Sequence, residues 1–176
     1  MNYWHDIASG SAEEMNVIIE IPDGSNNKYE IDKETGLIAL DRAMHTAQSY
    51  PFDYGFVPQT LWDDGDAADV AVLTTYSLDP GILVPTRPVG LMQMTDDGES
   101  DDKLIGVPVD DPRWEDVHDI DDIHDHTRKE IAHFFASYKN LQDAEVDIDG
   151  FTDRNKAVEA FQRSQNLYQK KIGDNN

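Results

Sequence analysis

The chain has 176 residues, no cysteine, and 36 acidic against 14 basic residues, a formal net charge of −22. That length suits one domain, residues 1–176, with a substantial core. The acidity excludes a basic footprint for nucleic acid or for anionic membrane, and the lack of cysteine excludes disulfides and thiolate sites. No run of about 18 apolar residues is present to span a bilayer. The first residues, Met1-Asn2-Tyr3-Trp4-His5-Asp6, carry neither the basic nor the apolar region of a secretory leader, so the expected location is the cytoplasm.

Residues 1–15 are polar and are expected to be loosely ordered. Asn16–Ile21 is a short β-rich run ended by Pro22, and Asp23–Asn27 reads as a turn. Lys28, Glu30 and Asp32 alternate with Tyr29, Ile31 and Lys33. With Gly36 and Leu37–Leu40 behind them, they predict a hairpin. Further strands are predicted at Ala67–Leu73, Val89–Met94 and Leu104–Val109, with Pro and Gly punctuating between them. Asp110–Asp125 reads as a solvated connection. The period then changes. Thr127 and Glu130 have capping-box spacing, and Ile131, Phe134, Phe135, Tyr138 and Leu141 form a helical stripe. A second, weaker helix follows Gly150, marked by Val158, Phe161 and Tyr168. Strands first and helices later is an α+β pattern, and the short strands suggest a small barrel.

The densest acidic motif is Asp63-Asp64-Gly65-Asp66-Ala67-Ala68-Asp69. Gly65 permits a sharp turn that can aim several carboxylates into one pocket, where a hard cation would relieve their repulsion. Read alone, the motif fits a solvated Asp-rich loop as well. The run Asp96–Lys103 reads first as a hairpin loop. Glu145-Val-Asp147-Ile-Asp149-Gly150 has the look of a calcium loop, but Glu stands first and Lys156 twelfth, where a bidentate Glu belongs. His118, His124, His126 and His133 lack the spacing of a zinc site. No P-loop, dinucleotide fingerprint or GxSxG is present.

The ordered string is more specific than its parts. It runs through Ile19-Glu20-Ile21-Pro22, Lys28-Tyr29-Glu30-Ile31-Asp32-Lys33, Asp41-Arg42 and Tyr50-Pro51-Phe52-Asp53-Tyr54-Gly55-Phe56-Val57-Pro58. It continues through Asp64-Gly65-Asp66-Ala67-Ala68-Asp69, Arg87-Pro88-Val89-Gly90, Asp96 to Lys103, and His133-Phe134-Phe135 with Tyr138-Lys139. From about residue 15 onward this resembles a family I soluble inorganic pyrophosphatase of the short prokaryotic type. The resemblance implies a small closed OB-type β-barrel with flanking C-terminal helices, hydrolysis of pyrophosphate with several Mg²⁺ ions (Mn²⁺ as a substitute), and a homohexamer.

It also implies roles. Asp64, Asp69 and Asp101 would hold the metals that activate water, and Asp66 would orient or deprotonate that water. Asp96, with Asp101, would hold a metal on the phosphate side, and Glu30 a substrate-borne one. Lys28, Arg42, Tyr138 and Lys139 would hold phosphoryl oxygens. Lys103, Tyr50 and Tyr54 would support the site, with Tyr54 and Lys103 also near the substrate. Glu20 and Asp97 would act one layer back. The family turn usually carries Pro where Ala67 stands, so the turn is expected to be less preorganised. The competing readings are a metal-binding barrel without catalysis, which has no use for Lys28, Arg42 and Lys139 together, and a phosphatase acting on nucleotides or phosphoesters.

The site's eight acids and four bases account for only four of the 22 negative charges. The remaining excess suggests a surface built for a salty, halophilic cytoplasm, where a Debye length of about 3 Å at molar salt screens it.

Overall fold

The computed structural model describes residues 1–172. Its elements in chain order are β1 (Met15–Ile21), β2 (Asn27–Ile31), β3 (Ile38–Ala43), β4 (Asp53–Phe56), β5 (Asp69–Val72), β6 (Leu83–Asp96), β7 (Glu99–Ser100), β8 (Lys103–Pro108), α1 (Asp125–Ser137), β9 (Val146–Thr152) and α2 (Arg154–Lys171). Short 3-10 turns lie at Ile120–Asp122 and Asn140–Gln142. The fold is α+β: a mixed seven-stranded sheet, a separate β2–β3 ribbon and two helices.

The sheet is organised around β1 and β6. β1 is apolar on both faces, with Val17, Ile18, Ile19 and Ile21 all buried, which marks it as an interior strand. It pairs antiparallel with β4 and with β6, and the pairings β4–β5, β5–β8 and β8–β6 complete a circuit that returns to β1. Gly55 is required where β4 meets β1, because a Cβ there would lie 1.9 Å from the Ile18 carbonyl oxygen. β6 is far longer than the predicted 89–94. It runs through Pro85 and Pro88, and the register with β8 shifts between Pro88 and Gly90. A proline inside a strand needs such an irregularity, because it has no N–H for the ladder.

Three other expectations change. Val146–Thr152, the calcium-loop look-alike, is β9, antiparallel to β6. Its Val146 and Ile148 pack on the core while Asp147 and Asp149 face solvent, so the acid spacing is strand alternation. α1 begins at Asp125, not after Thr127: His124 is the N-cap and its ring Nδ1 accepts from the His126 amide. Leu141 lies past the helix and is exposed, so the stripe ends at Tyr138. Part of the polar segment 1–15 packs on the rest of the chain. Trp4 is buried, its indole N–H donates to the Thr60 carbonyl (2.8 Å), and His5 Nδ1 meets the Tyr168 hydroxyl of α2 at 2.7 Å. Burying an indole with a satisfied N–H outweighs the polar composition around it.

The core below one end of the sheet is aromatic. Tyr50, Phe52, Tyr54, Phe134, Phe135 and Tyr138 pack ring against ring at centroid distances of 4.7–6.1 Å. Four of these rings also form the floor of the site described next.

Candidate active site

The acidic turn is built by local bonds. Gly65 takes φ +89° and the Asp66 amide donates to Asp64 Oδ1 at 2.9 Å. The Trp62 amide reaches the Asp66 carbonyl at 2.7 Å, closing the turn. The Ala68 amide is held by the buried Thr60 hydroxyl at 2.9 Å. Asp69 then opens β5. Asp64, Asp66 and Asp69 all face a cavity of about 300 Å³.

Into the same cavity the other elements bring Glu20 from β1, Lys28 and Glu30 from β2, Asp96 from the end of β6 and Lys103 from β8, with Asp101 just before it. Tyr50 and Tyr54 come from beside and within β4, and Tyr138 and Lys139 from the end of α1. Of the residues singled out from sequence, two do not line it. Arg42 stands across the ribbon from Lys28, hydrogen-bonded to Asp41, with its Nε buried and without a partner. Asp97, at φ +47°, lines an adjoining acidic recess, and its carboxylate accepts from the Glu145 amide.

Seven carboxylates and four lysines line the cavity. The lysines are engaged by the acids. Lys103, only 3% exposed, donates to Asp69 (2.6 Å) and Asp101 (2.5 Å). Lys139 is on Asp96, Lys28 on Glu30 and within 3.5 Å of Asp41, and Lys33 on Asp66. Among the described residues no three acidic or histidine side chains already meet around one point.

The electrostatics show an excess of negative charge that these lysines do not remove. Burial, and then the Asp69 carboxylate, push Glu20 well above the usual carboxylate range, although the Ile31 amide donates to it. Asp64 is raised by partial burial and by Asp69 and Asp66. Asp101 is pushed up to about 6, because burial outweighs the Lys103 ammonium beside it. Burial alone would lower Lys103, but Asp69 and Asp101 reverse that and hold it firmly charged. Tyr50, Tyr54 and Tyr138 are raised chiefly by burial and remain neutral hydroxyls. The donor set is oxygen throughout, with no cysteine and no histidine lining it. Crowded carboxylates with raised affinity for protons fit hard divalent cations such as Mg²⁺ or Mn²⁺, which would take the place of those protons.

Sequence reasoning did not single out Trp4, Lys33 and Phe135 as lining residues. Lys33 sits in the Lys28–Lys33 run. It reaches the cavity from the turn that follows β2, where the Asp32 carboxylate accepts from the Thr35 amide at 2.7 Å. The sequence signal for Trp4 is its place beside Tyr3 in a mostly polar segment.

A family model described as inorganic pyrophosphatase matches residues 17–169. The chain is 45% identical over 172 residues to an inorganic pyrophosphatase of Haloferax volcanii, covering 96% of this chain and 97% of that one. It is 44% identical over 170 residues to one of Halobacterium salinarum, covering 95% and 96%. The crystal structure of inorganic pyrophosphatase from Thermus thermophilus superposes with a TM-score of 0.92 at 41% identity, covering 96% of this chain and 99% of that one.

Proposed function

The chain belongs to the inorganic pyrophosphatase family, and from that premise we propose that it hydrolyses inorganic pyrophosphate to two phosphates with Mg²⁺, which Mn²⁺ can replace. The observation that carries this reading is the convergence of seven carboxylates and four lysines on one cavity of about 300 Å³. A polyanionic substrate needs the bases, and the divalent ions that accompany it need the acids.

Asp64, Asp69, Asp101 and Asp96 would hold the ions, with Glu30 on a substrate-borne one. When bound, the ions supply charge neutralisation and Lewis-acid polarisation. The remaining work falls to the chain's own groups. Asp66 accepts the proton of the attacking water as its oxygen bonds to phosphorus and the bridging P–O bond breaks. Lys28, Arg42, Lys139 and the Tyr138 hydroxyl take phosphoryl oxygens. The ion pairs suit this exchange: divalent ions compete with the lysines for the carboxylates, and phosphate competes with the carboxylates for Lys28 and Lys139. Lys103, buried and charged, keeps Asp69 and Asp101 facing the cavity, and the neutral Tyr54 and Tyr50 wall off its floor. Glu20 buttresses the ribbon through the Ile31 amide, and Asp97 fixes the loop after Asp96.

The same reading takes the circuit of strand pairings as a small closed barrel of OB type. It places the enzyme in the cytoplasm as a homohexamer with a salt-adapted surface, with neither nucleic acid nor membrane as partner. The test is phosphate release from pyrophosphate with and without Mg²⁺ across a range of KCl. Release that requires the divalent ion is expected. No release under any condition would leave a metal-binding module without catalysis.

A further inference from the structure

Lys33 and Trp4 lie outside the set of residues assigned above, yet both line the cavity. Lys33 Nζ is paired with Asp66 Oδ1 and lies 5.9 Å from the centroid of the Trp4 ring. Both partners of the ion pair are 55% exposed, and an ion pair in that setting contributes little to stability. Its geometry is nevertheless constrained, because Trp4 is fixed on several sides. The indole N–H is bonded to the Thr60 carbonyl, the ring stacks on His5 at 4.7 Å, and Trp4 shares a buried cluster with Ala67 and Phe56. Thr60 in turn holds the Ala68 amide through its hydroxyl. One indole therefore grips the acidic turn from behind, through Thr60 and Ala67, and supports the lysine in front of it.

We propose that Lys33, seated on Trp4, is a positioning residue for Asp66: it occupies Oδ1 and leaves Oδ2 to accept the proton of the attacking water. A flexible lysine laid on a fixed aromatic face loses less conformational freedom when it pairs. The arrangement also supplies rigidity to a turn that has Ala67 instead of proline. The N-terminal segment is then a working wall of the active site, and the inference rests on the hydrolysis reading above.

The test compares the full chain with Lys33→Met, Lys33→Arg, Asp66→Asn and the Lys33→Met/Asp66→Asn double variant, in Mg²⁺ and pyrophosphate. Lys33→Met keeps the aliphatic stem and is expected to lower kcat roughly tenfold, the scale of a misplaced catalytic group, with KM changed less than about twofold. Lys33→Arg, which keeps the charge and stacks on an indole, is expected to recover kcat to within about threefold of the parent. In the Asp66→Asn background, Lys33→Met should change kcat by less than about twofold, because the two act as one unit.

A Lys33→Met enzyme with parental kcat overturns the proposal. So do effects of the two substitutions that multiply, or a rise in KM with kcat unchanged, which would make Lys33 a direct substrate contact. Trp4→Phe retains a ring for Lys33 and should stay closer to the parent in kcat than Trp4→Ala. If Trp4→Ala does not fold, the Lys33 arms decide. A parent chain that releases no phosphate overturns the hydrolysis reading itself, whereas an active parent with an indifferent Lys33→Met variant overturns only this inference.

Discussion

At the scale of single residues, the site is a set of charges that satisfy one another. Asp66 is an exposed carboxylate on the turn, open to an incoming water. Asp66→Asn is expected to lower kcat by about 10²–10⁴, the range for loss of a general base, with the fold intact; steady-state phosphate release checks this. Asp101 gives a pH prediction. Its carboxyl titrates near 6 in the folded chain, above the ordinary value of 3.8. The folded state thus binds more protons than the unfolded one between those values, and stability without divalent ions falls as pH rises through that window. A divalent ion needs the ionised form, so its stabilising effect runs the other way: small below about 6 and larger above it. Melting curves with and without Mg²⁺ across that range measure both signs, and a Mg²⁺-induced shift that is flat with pH would remove Asp101 from the metal set. The aspartates were legible in the sequence because their chemistry is local: three acids around a glycine make a turn that concentrates charge. Lys33 and Trp4 were not, because their meaning arises only when a ribbon and an N-terminal segment, distant in sequence from the turn, pack against it.

At the scale of elements, the strands were legible where apolar residues alternate or run together, as in β1 and β8, and obscure where another pattern lay on top. β9 was hidden behind calcium-like acid spacing, and the length of β6 behind two prolines, of which Pro88 lies at a register shift. β4 was hidden inside a motif valued for its tyrosines. Its first residue, Asp53, shows what such motifs also do. Fully buried, it accepts from the Asp23 amide (2.8 Å), the Leu78 amide (3.1 Å) and the Ser77 hydroxyl (3.2 Å), and also from Thr74. It thereby ties two loops to the strand that carries Tyr54. Asp53→Ala removes the acceptor that these part-buried donors share and should cost about 3 kcal/mol, since a stranded buried group is worth about 1–3 and the donors on the exposed Asp23 and Ser77 can turn to water. Urea unfolding of parent and variant measures the difference.

At the scale of the whole molecule, the seven acids that line the cavity are a minority of the 36. Most of the negative excess lies on the outer surface, where ion pairs such as Arg128–Asp121, Lys129–Asp125 and Arg163–Asp63 engage only part of it. At 0.15 M salt the Debye length is about 8 Å and at 1 M about 3 Å, so added salt relieves the repulsion among the rest. The melting temperature is therefore expected to rise between dilute and molar KCl. A melting temperature that is flat or falling over that range would mean that the surface acids are not under mutual strain. The docking of the N-terminal segment has a consequence for the order of events during synthesis. His5 meets Tyr168 across 163 residues of sequence, and Ser9 meets Gln165 across 156. The segment that carries Trp4 is made well before α2, but its contacts through His5 and Ser9 wait until that helix has been made. The wall of the cavity to which Trp4 contributes is thus completed late, and a nascent chain that already holds most of its strands has an acidic turn but an unfinished cavity.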